Sequence, residues 1–173
     1  MKKIILTVIL TLVVIAIGGV IYIYSGIYDI SQMSRHNKIT QWVVGKTMEH
    51  SLMKGMNSIK DVTALTDTAM IAEGFMHYNE MCVVCHGGAG VEPSEIAKGL
   101  YPEPPKFYKS GDMTPGPVFW IIKNGIRMTS MPALAPTHTD EQIWAITAFM
   151  LNKFNNMTPE EYQDWIKKYP EME

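Results

Sequence analysis

Residues 82–86 read CVVCH and contain both cysteines of this 173-residue chain. Two thiols two residues apart, followed at once by a histidine, can form a redox disulfide, supply part of a metal site or attach haem covalently. The elements on either side of this stretch, and the residues that could complete a site, distinguish the three chemistries.

Helices are predicted on both sides of CVVCH. The stretch DTAMIAEGFMHYNEM, residues 67–81, has apolar residues at helical spacing and either Asp67 or Thr66 as its N-cap, so a helix runs directly into the cysteines. Glycines and prolines are dense from Gly87 onward, which disfavours regular structure there. A short helix is then expected from Pro117 to a C-cap at Gly125.

Two further helices are predicted towards the C-terminus. Thr139 and Gln142 have the spacing of a capping box in front of an apolar-periodic stretch. A last short helix has Pro159 at its first position and ends before Pro170. The sequence shows no convincing strand pair, so the predicted fold class is all-α.

The helical context favours haem attachment over the alternatives. A redox disulfide of the thioredoxin type needs a βαβ context, and a structural zinc site needs four ligands where only one cysteine pair exists. Cys82 and Cys85 are therefore predicted to form thioethers with one haem c, and His86 is predicted to be the proximal iron ligand.

The second axial ligand is predicted in the segment NGIRMTSMPALAP, which joins two helices. Met131 is favoured because Pro132 biases it away from helical geometry. Met128 is the alternative, and His138 is a more distant one. His77 is expected to be an ordinary surface or hydrogen-bonded histidine.

Aromatic residues of the first and third of these helices are expected to form the interface between the two helices. They are Phe75, Tyr78, Trp144 and Phe149.

An uncharged run, residues 4–24, is long enough for a helix of about 31 Å, which matches the hydrocarbon thickness of a bilayer. A cleaved signal peptide is the alternative, although its apolar core is usually shorter. Lys2 and Lys3 precede the run, so the positive-inside rule places the remaining chain on the extracytoplasmic, periplasmic side of a cell membrane crossed once. A connecting helix is predicted over roughly Lys38 to Asn57, on the domain, the membrane surface or a partner subunit. A loosely structured stalk is the alternative, because Lys46 and Glu49 interrupt the apolar stripe.

Charge disfavours one class of partner. Residues 68–173 hold 8 Lys or Arg against 13 Asp or Glu, whereas nucleic-acid binding depends on basic patches. The expected partners are redox proteins or subunits of a respiratory complex, with lipid around residues 4–24.

From about residue 67 to 155 the chain resembles a class I monohaem cytochrome c. The resemblance is carried by Gly74 and Tyr78 before CVVCH, by FWIIKNGIR (119–127), by the Met131–Pro132 pair and by IWAITAFML (143–151). It implies that the first helix crosses the last with Gly74 near Trp144 or Phe149. It also implies that a loop proline carbonyl, of Pro102, Pro104 or Pro105, accepts a hydrogen bond from His86.

The expected organisation is an anchor at 1–25, a connecting, partly helical segment at 26–66, and a cytochrome c domain with a C-terminal extension at 67–173. The resemblance implies one-electron transfer in a respiratory chain, as a tethered shuttle or a complex subunit, and not an enzyme activity of its own. The alternative is a haem enzyme or a gas or redox sensor with a labile sixth ligand.

Overall fold

The computed structural model describes residues 1–59, 65–109 and 114–170. Within these ranges the regular structure is helical, and the only β-pairing is an isolated bridge between Gly88 and Val91. The α-helices are α1 (Lys2–Tyr24), α2 (Lys38–Met56), α3 (Thr68–His77), α4 (Val83–His86), α5 (Pro115–Asn124), α6 (Asp140–Asn152) and α7 (Pro159–Lys168). The prediction of an all-α fold is confirmed.

The chain divides into two compact units, Met1–Arg35 and His36–Glu173. The first unit contains α1, which has a mean hydropathy of 3.0 and no buried residue. The hydroxyls of Thr7 and Thr11 donate to carbonyl oxygens four residues earlier, so neither polar group needs water. Helix α1 is long and apolar enough to cross a bilayer, a property that N-terminal signal sequences share.

The second unit is built around the crossing of α3 and α6. A Cβ atom added to Gly74 would lie 1.9 Å from the backbone oxygen of Ala145, so only glycine permits this approach. The crossing therefore lies at Ala145, the residue after Trp144. This position agrees with the expectation that Gly74 lies near Trp144. Phe75 and Phe149, both fully buried, pack edge to face beside it with ring centroids 5.4 Å apart.

Helix α5 begins two residues earlier than the sequence predicts. Pro115 occupies its first turn, and Gly125 ends it with a φ of 63°. Its Phe119 stacks on Trp144 with ring centroids 4.0 Å apart. The Trp144 side chain thus joins α6 to α5, a contact that the sequence does not predict, and its place in the interface between α3 and α6 stays a prediction.

Both C-terminal helices begin at capping boxes. The predicted box of Thr139 and Gln142 is present at α6, and Thr158 with Glu161 forms a second one at α7. Helix α7 covers the core through Tyr162, which is fully buried and whose ring lies 5.5 Å from that of Phe75. The extension beyond α6 is thus part of the hydrophobic core.

The predicted connecting helix is present as α2, and it packs against α5. The side chain of Asn37 caps it by accepting a hydrogen bond from the Thr40 amide. A Cβ atom on Gly55 would lie 2.4 Å from the ring of Trp120, so the two helices approach closely at this point.

Candidate haem-binding site

The cysteines lie on a continuous helical path. Helix α3 passes into one turn of π-helix, Tyr78–Cys82, which leads directly into α4. Helix α4 then ends at its C-cap residue, Gly87. Single π turns within helices are frequent at functional sites. Cys82 and Cys85 are three residues apart on this path, so their side chains lie on one face, and both are half-buried free thiols.

The Cys82 thiol lacks the electrostatics of a redox-active thiol. Burial, with a smaller effect of Cys85, raises the pKa of the Cys82 thiol to about 12. Reactive Cys-x-x-Cys motifs instead have a thiol whose pKa is lowered. Across the described residues, no three His, Cys, Asp or Glu side chains are grouped to hold a metal ion, so a zinc tetrad has no support either.

His86 is buried, and its Nδ1 lies 2.9 Å from the carbonyl oxygen of Pro105. Because a carbonyl oxygen can only accept, Nδ1 carries the proton and donates it, and Nε2 keeps a free lone pair. Burial lowers the pKa of His86, and the hydrogen bond to Pro105 partly opposes that effect. The imidazole is therefore neutral and oriented, which is the form that coordinates a metal.

Tyr78 braces the turn that ends α4. Its hydroxyl donates a hydrogen bond of 2.8 Å to the carbonyl oxygen of Gly87, in a buried position. Burial raises the pKa of Tyr78 above its usual value, so this group remains a neutral donor. On the other side, the Phe107 ring lies 4.6 Å from that of His86. Tyr78 thus holds Gly87, the residue after His86, and Phe107 covers one face of the His86 ring.

Met131 lies in the segment between α5 and α6 and is half-buried. Its carbonyl oxygen accepts a hydrogen bond from the Ile126 amide, and its own amide donates to the Thr129 hydroxyl. Gly125 packs against the same backbone, because a Cβ atom there would lie 2.7 Å from the Met131 oxygen. In contrast, Met128 is 73% exposed and has a φ of 64°.

His77 differs from the sequence prediction. The side chain is buried, and within the described chain neither ring nitrogen has a hydrogen-bond partner. Its Nε2 lies 3.8 Å from the Glu73 carboxylate, too far for a hydrogen bond, and its ring meets that of His138 at 5.3 Å. Burial and then His138 lower the pKa of His77. The sequence carried a signal: His77 follows Gly74 by three residues and therefore lies on the face that meets α6.

The donor set fits a covalently attached haem. Two thiols on one helical face are followed by a neutral imidazole whose free nitrogen is oriented by a backbone carbonyl. These are the groups needed for two thioether bonds and one axial ligand.

The fold and these groups define a class I c-type cytochrome domain. Residues 69–150 match the family described as "Cytochrome C oxidase, cbb3-type, subunit III". A comparison with curated proteins finds no match. The class implies covalently bound haem c and a haem-based electron-transfer role.

Proposed function

We propose that this chain is a membrane-anchored cytochrome c that transfers single electrons in a respiratory chain through one haem c. In this proposal Cys82 and Cys85 form the thioethers, His86 is the proximal ligand and Met131 is the distal one. Haem, when bound, supplies an iron that alternates between two oxidation states. The observation that carries the proposal is that His86, the last residue of CVVCH, donates a hydrogen bond from Nδ1 to the carbonyl oxygen of Pro105.

The protein's own groups suit rapid electron exchange. The hydrogen bond to Pro105 keeps the His86 ring in one orientation, and the backbone around Met131 is held by Thr129 and Gly125. Little rearrangement is needed when the charge of a site changes if its ligands are held in this way. Met131 is preferred to Met128 because Met131 is half-buried, whereas the Met128 side chain is largely exposed.

Membrane attachment is assigned to α1, with residues 1–25 as anchor, 26–66 as connecting segment and 67–173 as the cytochrome domain with its extension. The apolar length of α1 supports the span, and Lys2 and Lys3 support an extracytoplasmic, periplasmic domain. The chain then acts as a tethered shuttle or as a subunit of a complex. The oxidase-subunit description of the matching family supports the second role.

The spectrum of the purified haem protein tests the ligand assignment. We expect a low-spin spectrum with the weak sulfur-to-iron band, and we expect Met131→Ala to abolish that band. Met128→Ala is the matched control and should retain it. If Met131→Ala keeps the band, or if the reduced wild type binds carbon monoxide rapidly, the proposal fails in favour of another ligand or of a sensor or enzyme.

Covalent attachment is tested separately on denaturing gels. Haem stain should follow the denatured wild-type chain and should be absent from the Cys82→Ser/Cys85→Ser variant. Mild solubilisation of membranes then separates the two roles, because a shuttle migrates alone and a subunit migrates with its complex.

A further inference from the structure

Helix α2 has an apolar face that the cytochrome domain does not cover. Its domain-facing side carries Gly55, which lies close to Trp120, and the half-buried Leu52 and Met56. On the other side a stripe of apolar residues is exposed to different degrees: Ile39 by 77%, Trp42 by 67%, Val43 by 48% and Met53 by 40%. At 100° per residue these four positions lie within one arc of about 100°, which also contains Lys46 and His50. We call this arc the outer stripe of α2.

Charge on α2 differs in sign from that of the cytochrome domain. The helix contains three lysines and a single acid, Glu49, which pairs with Lys46 at 2.6 Å. Lys38 and Lys54 lie on either flank of the outer stripe. Residues 68–173 are acidic, with 8 Lys or Arg against 13 Asp or Glu. A negatively charged surface would therefore attract α2 and repel the domain behind it.

Covalent continuity points to which surface this is. Residues 25–37 join the end of α1 to the start of α2. Even fully extended, a segment of this length spans only about 50 Å. Tyr22, Tyr24 and Tyr28 mark the end of the apolar run with the aromatic residues typical of a membrane interface. If α1 is the anchor, the start of α2 therefore cannot lie farther than this distance from the lipid headgroups.

We propose that α2 lies on the membrane with its outer stripe in the headgroup region of an anionic lipid surface. This inference rests on the anchoring function proposed for α1. Trp42 is the residue type preferred at that depth, and Lys38 and Lys54 reach lipid phosphates from the flanks of the stripe. Because the inner side of α2 packs on α5, contact with the membrane fixes which side of the cytochrome domain faces away from the lipid. The anchor then orients the domain as well as retaining it.

The experiment uses the full haem-loaded chain, one copy per lipid nanodisc that contains an anionic lipid. A nitroxide is attached through Val43→Cys on the outer stripe, and a matched nitroxide through Gln41→Cys, which is exposed on the other side of the helix. We expect the label at 43 to collide preferentially with oxygen and the label at 41 with a water-soluble nickel complex. Their depths should differ by about 10 Å, the diameter of a helix.

A second variant ties the depth to the stripe. Trp42→Ser in the Val43→Cys background should move the label at 43 towards water, and replacing the anionic lipid by a neutral one should do so in part. Equal access of the nickel complex to both labels would overturn the inference, as would a label at 43 that neither reagent reaches, which indicates a protein contact. Co-elution of the chain with the nanodisc is scored independently. Failure to co-elute overturns the anchoring proposal together with this inference, whereas co-elution with a water-exposed label 43 overturns this inference alone.

Discussion

The buried imidazole of His77 makes stability depend on pH. Burial and His138 hold its folded pKa below 6.5, while Glu73 and Glu80 oppose that shift. As the pH falls below 6.5, the unfolded chain binds a proton before the folded one, so the stabilisation present above that pH is lost as the pH falls through the folded pKa. We expect His77→Leu to flatten the decline in the free energy of unfolding between about pH 7 and 5, as measured by denaturant titration. His50→Leu, at an exposed site on α2, should follow the wild-type curve.

An unchanged pH dependence in His77→Leu would contradict this account, because it would assign the acid-sensitive proton to another group. Glu73 and Glu80 partly oppose the lowering of the His77 pKa, and Glu73 Oε1 lies 3.8 Å from Nε2 of His77. Glu73→Gln in the wild-type background should therefore steepen the decline by lowering the folded pKa of His77 further.

At the residue scale, the sequence reveals features that depend on neighbouring positions, and it does not reveal features that depend on contacts between distant positions. CVVCH is visible because its members are neighbours in the chain. The choice of Pro105 among three prolines depends on a hydrogen bond that spans 19 positions, and no local pattern distinguishes it from Pro104. The burial of His77 likewise depends on α6, which lies far along the chain. The assignment of Met131 and of the haem attachment residues stays a prediction until spectra are recorded.

The helices likewise differ in how far local sequence patterns predict them. A capping box predicted the start of α6, and Pro159 predicted the first residue of α7, because both signals lie within a few positions of the helix end. The π turn at Tyr78–Cys82 has no comparable local signal. The start of α5 at Pro115 instead of Pro117 shows that two prolines fit within the first turn, where their missing amides are not needed.

The crossing of α3 and α6 is tested at Gly74. Adding a methyl group there brings Cβ against the Ala145 carbonyl oxygen at 1.9 Å, so the helices must separate. We expect Gly74→Ala to lower the free energy of unfolding of the haem-loaded protein by about 1–3 kcal/mol. Gly45→Ala is the matched control, because it is also helical but has no neighbouring atom within 4 Å. It should be neutral or stabilising by about 0.5–1 kcal/mol. Equal effects of the two substitutions would show that the crossing does not depend on close backbone contact.

On the scale of the whole molecule, the two compact units predict where the chain can be divided. A variant that lacks residues 1–35, exported with a cleavable signal sequence, keeps the entire second unit including α2. We expect it to retain the wild-type haem spectrum and denaturation midpoint. Alkaline carbonate should release it from membranes, whereas the full chain should resist that extraction.

A longer deletion separates the roles of α1 and α2. A variant that lacks residues 1–57 loses the half-buried Leu52 and Met56 and uncovers Trp120 of α5. Because α5 leads into the Met131 segment, we expect a loss of about 2 kcal/mol in the free energy of unfolding and a weaker sulfur-to-iron band on mild heating. If this variant were as stable as the one lacking residues 1–35, α2 would be a passive connection, and its packing could not orient the cytochrome domain. A loss confined to the longer deletion would instead show that the connecting helix is structurally part of the domain that carries the haem.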